Sequence, residues 1–214
     1  MLNIHEIYAS VQGESTLAGM PCVFVRLAGC PLRCTYCDTE QAIPFDSGTA
    51  LSLDDIVQQV QAFGYDLVLV TGGEPLAQKK VIDLLHRLCA VMPKVQLETS
   101  GALDVSQVPK KVCKIIDIKS PASGEYQRHR WSNMPFITAQ DEIKLVLASR
   151  EDYIWARDEV LPKLQATPAI ILFSAAWGMV SLADLAAWIL EDHLAVRLQV
   201  QMHKVIWGAE QTGV

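Results

Sequence analysis

Long apolar runs are missing from this chain of 214 residues. No stretch of about twenty consecutive apolar residues occurs, which excludes a membrane-spanning helix. The opening run MLNIHEIYASVQGE carries acidic residues and no apolar segment of signal-peptide length, so a secretion signal is not expected. Basic charge is scarce as well. Eighteen Lys and Arg stand against 24 Asp and Glu, a net charge of −6, whereas nucleic-acid binders carry a basic footprint. Neither a repeat nor a low-complexity linker divides the chain, and one domain over residues 1–214 is expected. What is present is ample apolar material: half the residues, enough for a core at this length. A cytoplasmic protein acting on a small molecule, with neither nucleic acid nor membrane as partner, is the class these absences leave.

A fourth metal ligand is also missing where it would be informative. Cys30, Cys34 and Cys37 fall within eight residues, in the run AGCPLRCTYCDT. A structural zinc site takes four protein ligands, yet no His or Cys follows at finger-like spacing, and His86, Cys89 and Cys113 are distant and isolated. Disulfides within C-x3-C-x2-C would close strained short loops. Thiolates are soft ligands that suit iron–sulfur clusters. Three of them can hold three irons of a four-iron cluster and leave the fourth open towards a ligand. Cys22, Cys89 and Cys113 sit in apolar runs and read as core packing.

Strand and helix signals alternate along the chain. Apolar, β-rich runs lie at 23–27, 67–70, 95–97, 112–118, 143–147, 169–173 and 196–200. Between them, Ser52, Ser149 and Ser181 each precede a helical stretch, with Asp55, Asp152 and Asp184 three residues on. That S-x-x-D pattern caps free backbone N–H groups and sets a carboxylate at the positive helix end. Near-continuous apolar strands separated by helices mean an α/β fold with a mainly parallel sheet. Residues 120–135 are polar and aperiodic, a long loop. In such folds ligands gather at the carboxyl ends of strands. The cysteine loop, Thr71-Gly72-Gly73-Glu74-Pro75, Glu98-Thr99-Ser100-Gly101 and Ser120-Pro121 all follow strands there. A Gly-Gly pair lets a ligand approach the backbone, and the following Glu offers an acceptor to a cationic amine. Alone, TGGEP reads equally well as an ordinary βα turn.

Taken together, C-x3-C-x2-C with Tyr36 before its last cysteine, and GGEP after the next strand, resemble the radical S-adenosylmethionine superfamily. The N-terminal run EIYASVQGESTLAGMPCVFVRLAGCPLRCTYCDT, with TGGEP, ETSG, DIKSP, DEIKLVL and QMHK, resembles the 7-carboxy-7-deazaguanine synthase family over nearly the whole chain. The resemblance implies an abbreviated, partial (β/α) barrel, a homodimer, and a lyase acting on a pterin, 6-carboxy-5,6,7,8-tetrahydropterin. It implies a [4Fe–4S] cluster on Cys30, Cys34 and Cys37, S-adenosyl-L-methionine, and Mg²⁺ on Thr39. A flavodoxin-like or other one-electron reductant would serve it.

Residue by residue, Gly72, Gly73 and Glu74 match the stretch that receives the methionyl amine. Tyr36, Cys37 and Asp38 match the adenine side of the cluster loop. Ser120, Pro121 and Ala122 match a cofactor loop that commonly reads Ser-Pro-Lys; here the lysine comes first, as Lys119. Phe173, Ser174, Ala175 and Ala176 occupy the place of an adenine-facing Gln-Pro segment. Val11, Gln12, Gly13 and Glu14 match the pterin-binding stretch, and Thr71 a further substrate contact. Arg26 matches the arginine that grips the substrate carboxylate, for which its planar fork is suited. A glycyl-radical activating enzyme working on a partner protein shares the cysteine spacing and stays open as an alternative, as does a metal-binding module without catalysis.

Overall fold

The β-rich runs become strands of one sheet in the computed structural model, which describes residues 1–214. The strands are β1 (Leu2–Val11), β2 (Pro21–Leu27), β3 (Thr49–Leu51), β4 (Leu67–Gly72), β5 (Lys94–Thr99), β6 (Cys113–Asp117), β7 (Glu142–Leu147), β8 (Ile170–Ala175) and β9 (Arg197–Gln199). Their order is β3-β1-β2-β4-β5-β6-β7-β8-β9. From β2 to β9 every pairing is parallel, while β1 runs antiparallel to both β2 and β3. The two ends of the order, β3 and β9, do not pair with each other, so the sheet is open, a partial barrel of α/β type. All seven expected runs are parallel strands. The antiparallel pair at the N-terminal edge was not foreseen, because His5, Glu6 and Ser10 break the apolar run of β1 and β3 is three residues long.

Helices α1 (Leu53–Ala62), α2 (Val81–Val91), α3 (Arg150–Trp155), α4 (Leu161–Leu164) and α5 (Leu182–Glu191) cover one face of the sheet, while α6 (Met202–Trp207) lies on the other side, with His203 and Lys204 facing the concave surface. Ser52, Ser149 and Ser181 cap α1, α3 and α5, each hydroxyl accepting from the backbone N–H three residues on. A wide π turn, Ala156–Val160, joins α3 to α4 just before Pro162, which lacks the N–H a regular turn would use. The helix α2 has no side-chain cap. Its apolar stripe of Val81, Leu84, Leu85 and Leu88 carries it instead, burying against Val25, Val70 and Leu97 of the sheet. A second cluster packs Ile143, Leu145, Leu147 and Phe173 against Tyr153, Val160, Leu164 and Leu185. Burial of each such side chain contributes about 1.5–3 kcal/mol.

Strand side chains alternate between faces, so the opposite, concave face receives the other half of each strand. There the register sets Arg26 beside Thr71 and Asp117 beside Lys144. A small apolar cluster of Cys22, Phe24, Leu67, Leu69 and Ile115 closes the floor near the amino ends of the strands. Residues 120–135 form only short turns and no strand or long helix, as the aperiodic sequence leads one to expect. Cys22 is fully buried, whereas Cys89 and Cys113 are half-buried.

Candidate active site

The concave face and the strand-end loops enclose a cavity of about 650 Å³. Cys30, Cys34 and Cys37 open into it, all as free thiols and all half-buried. Burial raises all three thiols, Cys34 up to about 11. No three His, Cys, Asp or Glu side chains are gathered closely enough to hold one metal ion. An all-thiol set on one short loop, opening onto a cavity, fits a cluster larger than a single ion and facing a ligand.

Tyr36, between two of these cysteines, is fixed by its hydroxyl to Ser120 Oγ at 2.9 Å and to the Val146 carbonyl at 3.1 Å. Burial pushes its phenol up to about 12. Ser120 in turn donates to Asp152 Oδ2 at 2.8 Å, and Asp152 also accepts from the backbone N–H groups of Ala122 and Ala148. The first turn of α3 therefore anchors both the Ser120–Ala122 loop and the aromatic ring of the cysteine loop. The sequence marks Asp152 only as a capping residue.

Gly72 and Gly73 line the cavity. Gly72 has φ of +140°, and a Cβ there would overlap the Leu27 backbone carbonyl, so the close approach of β2 and β4 requires glycine. Glu74 departs from expectation. Its side chain is fully buried and does not line the cavity. Its carboxylate is filled by the Leu76 N–H, the Thr99 hydroxyl, and the N–H and hydroxyl of Ser100. Glu74 thus holds the ETSG loop, and the groups it sets at the cavity wall are Thr99 and Ser100.

The other expected residues divide in the same way. Val11, Gly13, Glu14, Arg26, Asp38, Thr39, Thr71 and Ala176 line the cavity. Gln12 lines it too, its amide donating to Gln96 Oε1 at 2.7 Å and accepting from the Glu14 N–H. Ser120, Pro121 and Ala122 lie behind the wall, held by Asp152 and by the Thr35 hydroxyl. Phe173 and Ala175 alternate onto the helix-covered face, and Ser174 faces inward but is fully buried.

Charged groups fill the rest of the wall. Arg26 donates from Nε to Glu6 at 2.7 Å and from Nη2 to the Tyr8 hydroxyl at 2.9 Å. Lys144, nearly inaccessible, donates to Glu14 at 2.6 Å and to Glu98, and lies 3.9 Å from Asp117. Burial alone would lower its ammonium, but the facing carboxylates hold it well above the usual lysine range. Lys119 pairs with Asp117 at 2.8 Å, which likewise outweighs the effect of burial. Thr71 donates to Glu98, and Thr39 to Asp38. Asp38 pairs with Lys204 of α6 at 2.7 Å. Burial would raise that carboxyl, and the Lys204 ammonium instead holds it far below the usual range.

Chain ends complete the enclosure. The Met202 N–H donates to the Gly13 carbonyl at 2.9 Å, and Gln201 donates to Glu14 at 2.9 Å. Gly13 has no room for a Cβ, because the His203 ring lies against it. Residues 209–214 line the cavity mouth. Sequence reasoning missed Glu98, Lys119, Lys204 and this tail as site residues. Period-2 alternation along β5 could have pointed to Glu98, which shares a face with Gln96 while Val95 and Leu97 face the core.

Residues 25–120 match the family model for the radical SAM superfamily. A 7-carboxy-7-deazaguanine synthase of Chlorobaculum tepidum is 44% identical over 216 residues, covering 100% of this chain and 97% of that one. A second, from Koribacter versatilis, is 42% identical with 100% of both chains covered. Among solved structures, that of QueE from Escherichia coli superposes with a TM-score of 0.74 at 25% identity, covering 94% of each chain. Streptococcus suis SuiB bound to S-adenosylmethionine shares the fold, at TM-score 0.59 and 15% identity, over 80% of this chain and 48% of that one.

Proposed function

We infer the chemistry of the cavity from one premise: the chain belongs to the 7-carboxy-7-deazaguanine synthase family of the radical S-adenosylmethionine superfamily. It is an enzyme, a carbon–nitrogen lyase that converts 6-carboxy-5,6,7,8-tetrahydropterin to 7-carboxy-7-deazaguanine with loss of ammonia, a step towards queuosine and other 7-deazapurines. The observation that carries this reading in the structure is the sharing of one cavity by three free thiols, an arginine fork and the carboxylates Glu14 and Glu98. An activating enzyme for a partner protein would have no use for such a wall.

In this reading Cys30, Cys34 and Cys37 would hold the [4Fe–4S] cluster, which, given one electron from a reductant and bound S-adenosylmethionine, would supply radical chemistry to the cavity. The rest is the work of the protein. Gly72 and Gly73 bring bare backbone to the cofactor's methionyl end, with Thr99 and Ser100 as hydroxyl contacts set by Glu74. Tyr36 offers a fixed ring face to the adenine. Arg26 still has Nη1 and half of Nη2 free, an edge that matches a carboxylate. Gripping the carboxylate on C6 orients the neighbouring C–H towards the cysteine loop. Glu14 and Glu98 accept from the N–H groups of the heterocycle. Thr39, with Asp38 beside it, would offer oxygen to Mg²⁺, an ion that takes oxygen ligands. A one-electron donor of flavodoxin type, a homodimeric assembly and a cytoplasmic setting complete the proposal.

Anaerobically reconstituted, reduced protein given S-adenosylmethionine and carboxytetrahydropterin should form a deazaguanine chromophore. Zinc in place of iron, or no chromophore, would overturn the reading. Thr39→Ala should turn over with little response to added Mg²⁺; an unchanged metal response removes Thr39 from the metal site.

A further inference from the structure

Lys144 is the least accessible cation on the cavity wall, and three carboxylates from three different elements face it. Glu14 comes from the loop after β1, Glu98 from β5 and Asp117 from β6. Asp117 is shared with Lys119, and Asp38, His203 and Lys204 stand further along the same wall. Each of the two carboxylates nearest the cavity is held at both oxygens. Glu14 takes Lys144 on Oε2 and Gln201 on Oε1, and Glu98 takes Lys144 on Oε1 and Thr71 on Oε2. Each oxygen has a second lone-pair direction, and both side chains reach the cavity wall.

We propose that Lys144 is a positioning residue for the substrate: it bridges Glu14 and Glu98 and holds them side by side as acceptors for the adjacent N–H donors of a cyclic guanidine edge. The proposal rests on the pterin reading above. Two carboxylates this close repel each other, and without a cation between them one takes up a proton. A protonated carboxyl presents a donor where the heterocycle also presents a donor, so recognition fails at that contact. A nearly inaccessible ammonium that donates to both carboxylates prevents this. Burial would raise the Glu14 carboxyl, yet the Lys144 charge and hydrogen bond hold it below the usual range, the direction this role requires.

The test uses the reconstituted full chain and the fluorescent probe pterin-6-carboxylate, whose binding needs no turnover. Lys144→Met should weaken binding at least tenfold at pH 6, and the loss should shrink as pH rises to 7.5 and Glu14 ionises. Lys144→Arg, which keeps the charge, should stay within a few-fold of the parent. In turnover, Lys144→Met should raise KM far more than it lowers kcat. Unchanged binding, or a loss independent of pH and not rescued by Arg, would overturn the proposal. If Lys144→Met does not fold, Lys144→Met with Glu98→Gln removes the repulsion together with the cation. That double variant should fold and bind weakly, and parental affinity in it counts against Lys144. A parent protein that ignores the probe defeats the pterin reading itself, a result distinct from the others.

Discussion

Arg26 spends Nε on Glu6 and one Nη2 proton on Tyr8, and what remains of its fork faces the cavity. A charge-assisted contact is worth about 1.5–3 kcal/mol, so Arg26→Ala should raise KM for the carboxylated pterin by roughly 10- to 100-fold, as read by deazaguanine formation. Arg26→Lys should do little better, because a point charge cannot replace the fork. Arg26 was expected from the family resemblance, and it lines the cavity. The cysteines were marked by their own spacing. Glu74 was misleading, because its partners lie on another strand. It is claimed by Thr99 and Ser100, across a gap in sequence that no spacing rule spans.

At the scale of elements, one motif has two fates. Ser52, Ser149 and Ser181 cap their helices alike, but only Asp152 is buried and bonded beyond its own helix. Ser52→Ala should therefore cost about 1 kcal/mol in urea unfolding, as an ordinary cap does. Asp152→Ala should cost more, about 3 kcal/mol or above, because it strands the Ser120 hydroxyl and two backbone N–H groups in the interior. Equal costs would show that the anchoring contacts are energetically idle. The parallel strands were readable because each carries a short apolar run even where its concave-face residues are charged. The edge strands β1 and β3 were not, since an antiparallel edge tolerates polar residues and short lengths.

For the molecule as a whole, closure of the cavity depends on charge. The segment from Gln201 to Lys204 is tied down by Glu14, Gly13 and Asp38. The Glu14 and Asp38 carboxyls lie below their ordinary range, so the stability they add is present at neutral pH and lost as acid protonates them. Burial also lowers His203, so charging it in acid opposes the packed state and acts in the same direction. Hydrogen-exchange protection factors at 201–207, with the intrinsic pH dependence divided out, should fall from about pH 6.5 downwards, before those of the central strands. A uniform fall across the sheet would contradict this. The cover itself can be tested on the cluster-free chain. Deleting residues 209–214 should speed maleimide labelling of Cys30, Cys34 and Cys37, and an unchanged rate would mean that the tail does not shield them.

That cover also sets an order of assembly. Ribosomes make the cysteine loop early and residues 201–214 late, and all strands but β9 can pair before α6 exists. During synthesis the thiols therefore face open solvent, within reach of an iron–sulfur donor, until the C-terminal segment settles on Gly13, Glu14 and Asp38. Loading first and sealing afterwards is the easier route, and a chain sealed without its iron would have to loosen that segment to be repaired.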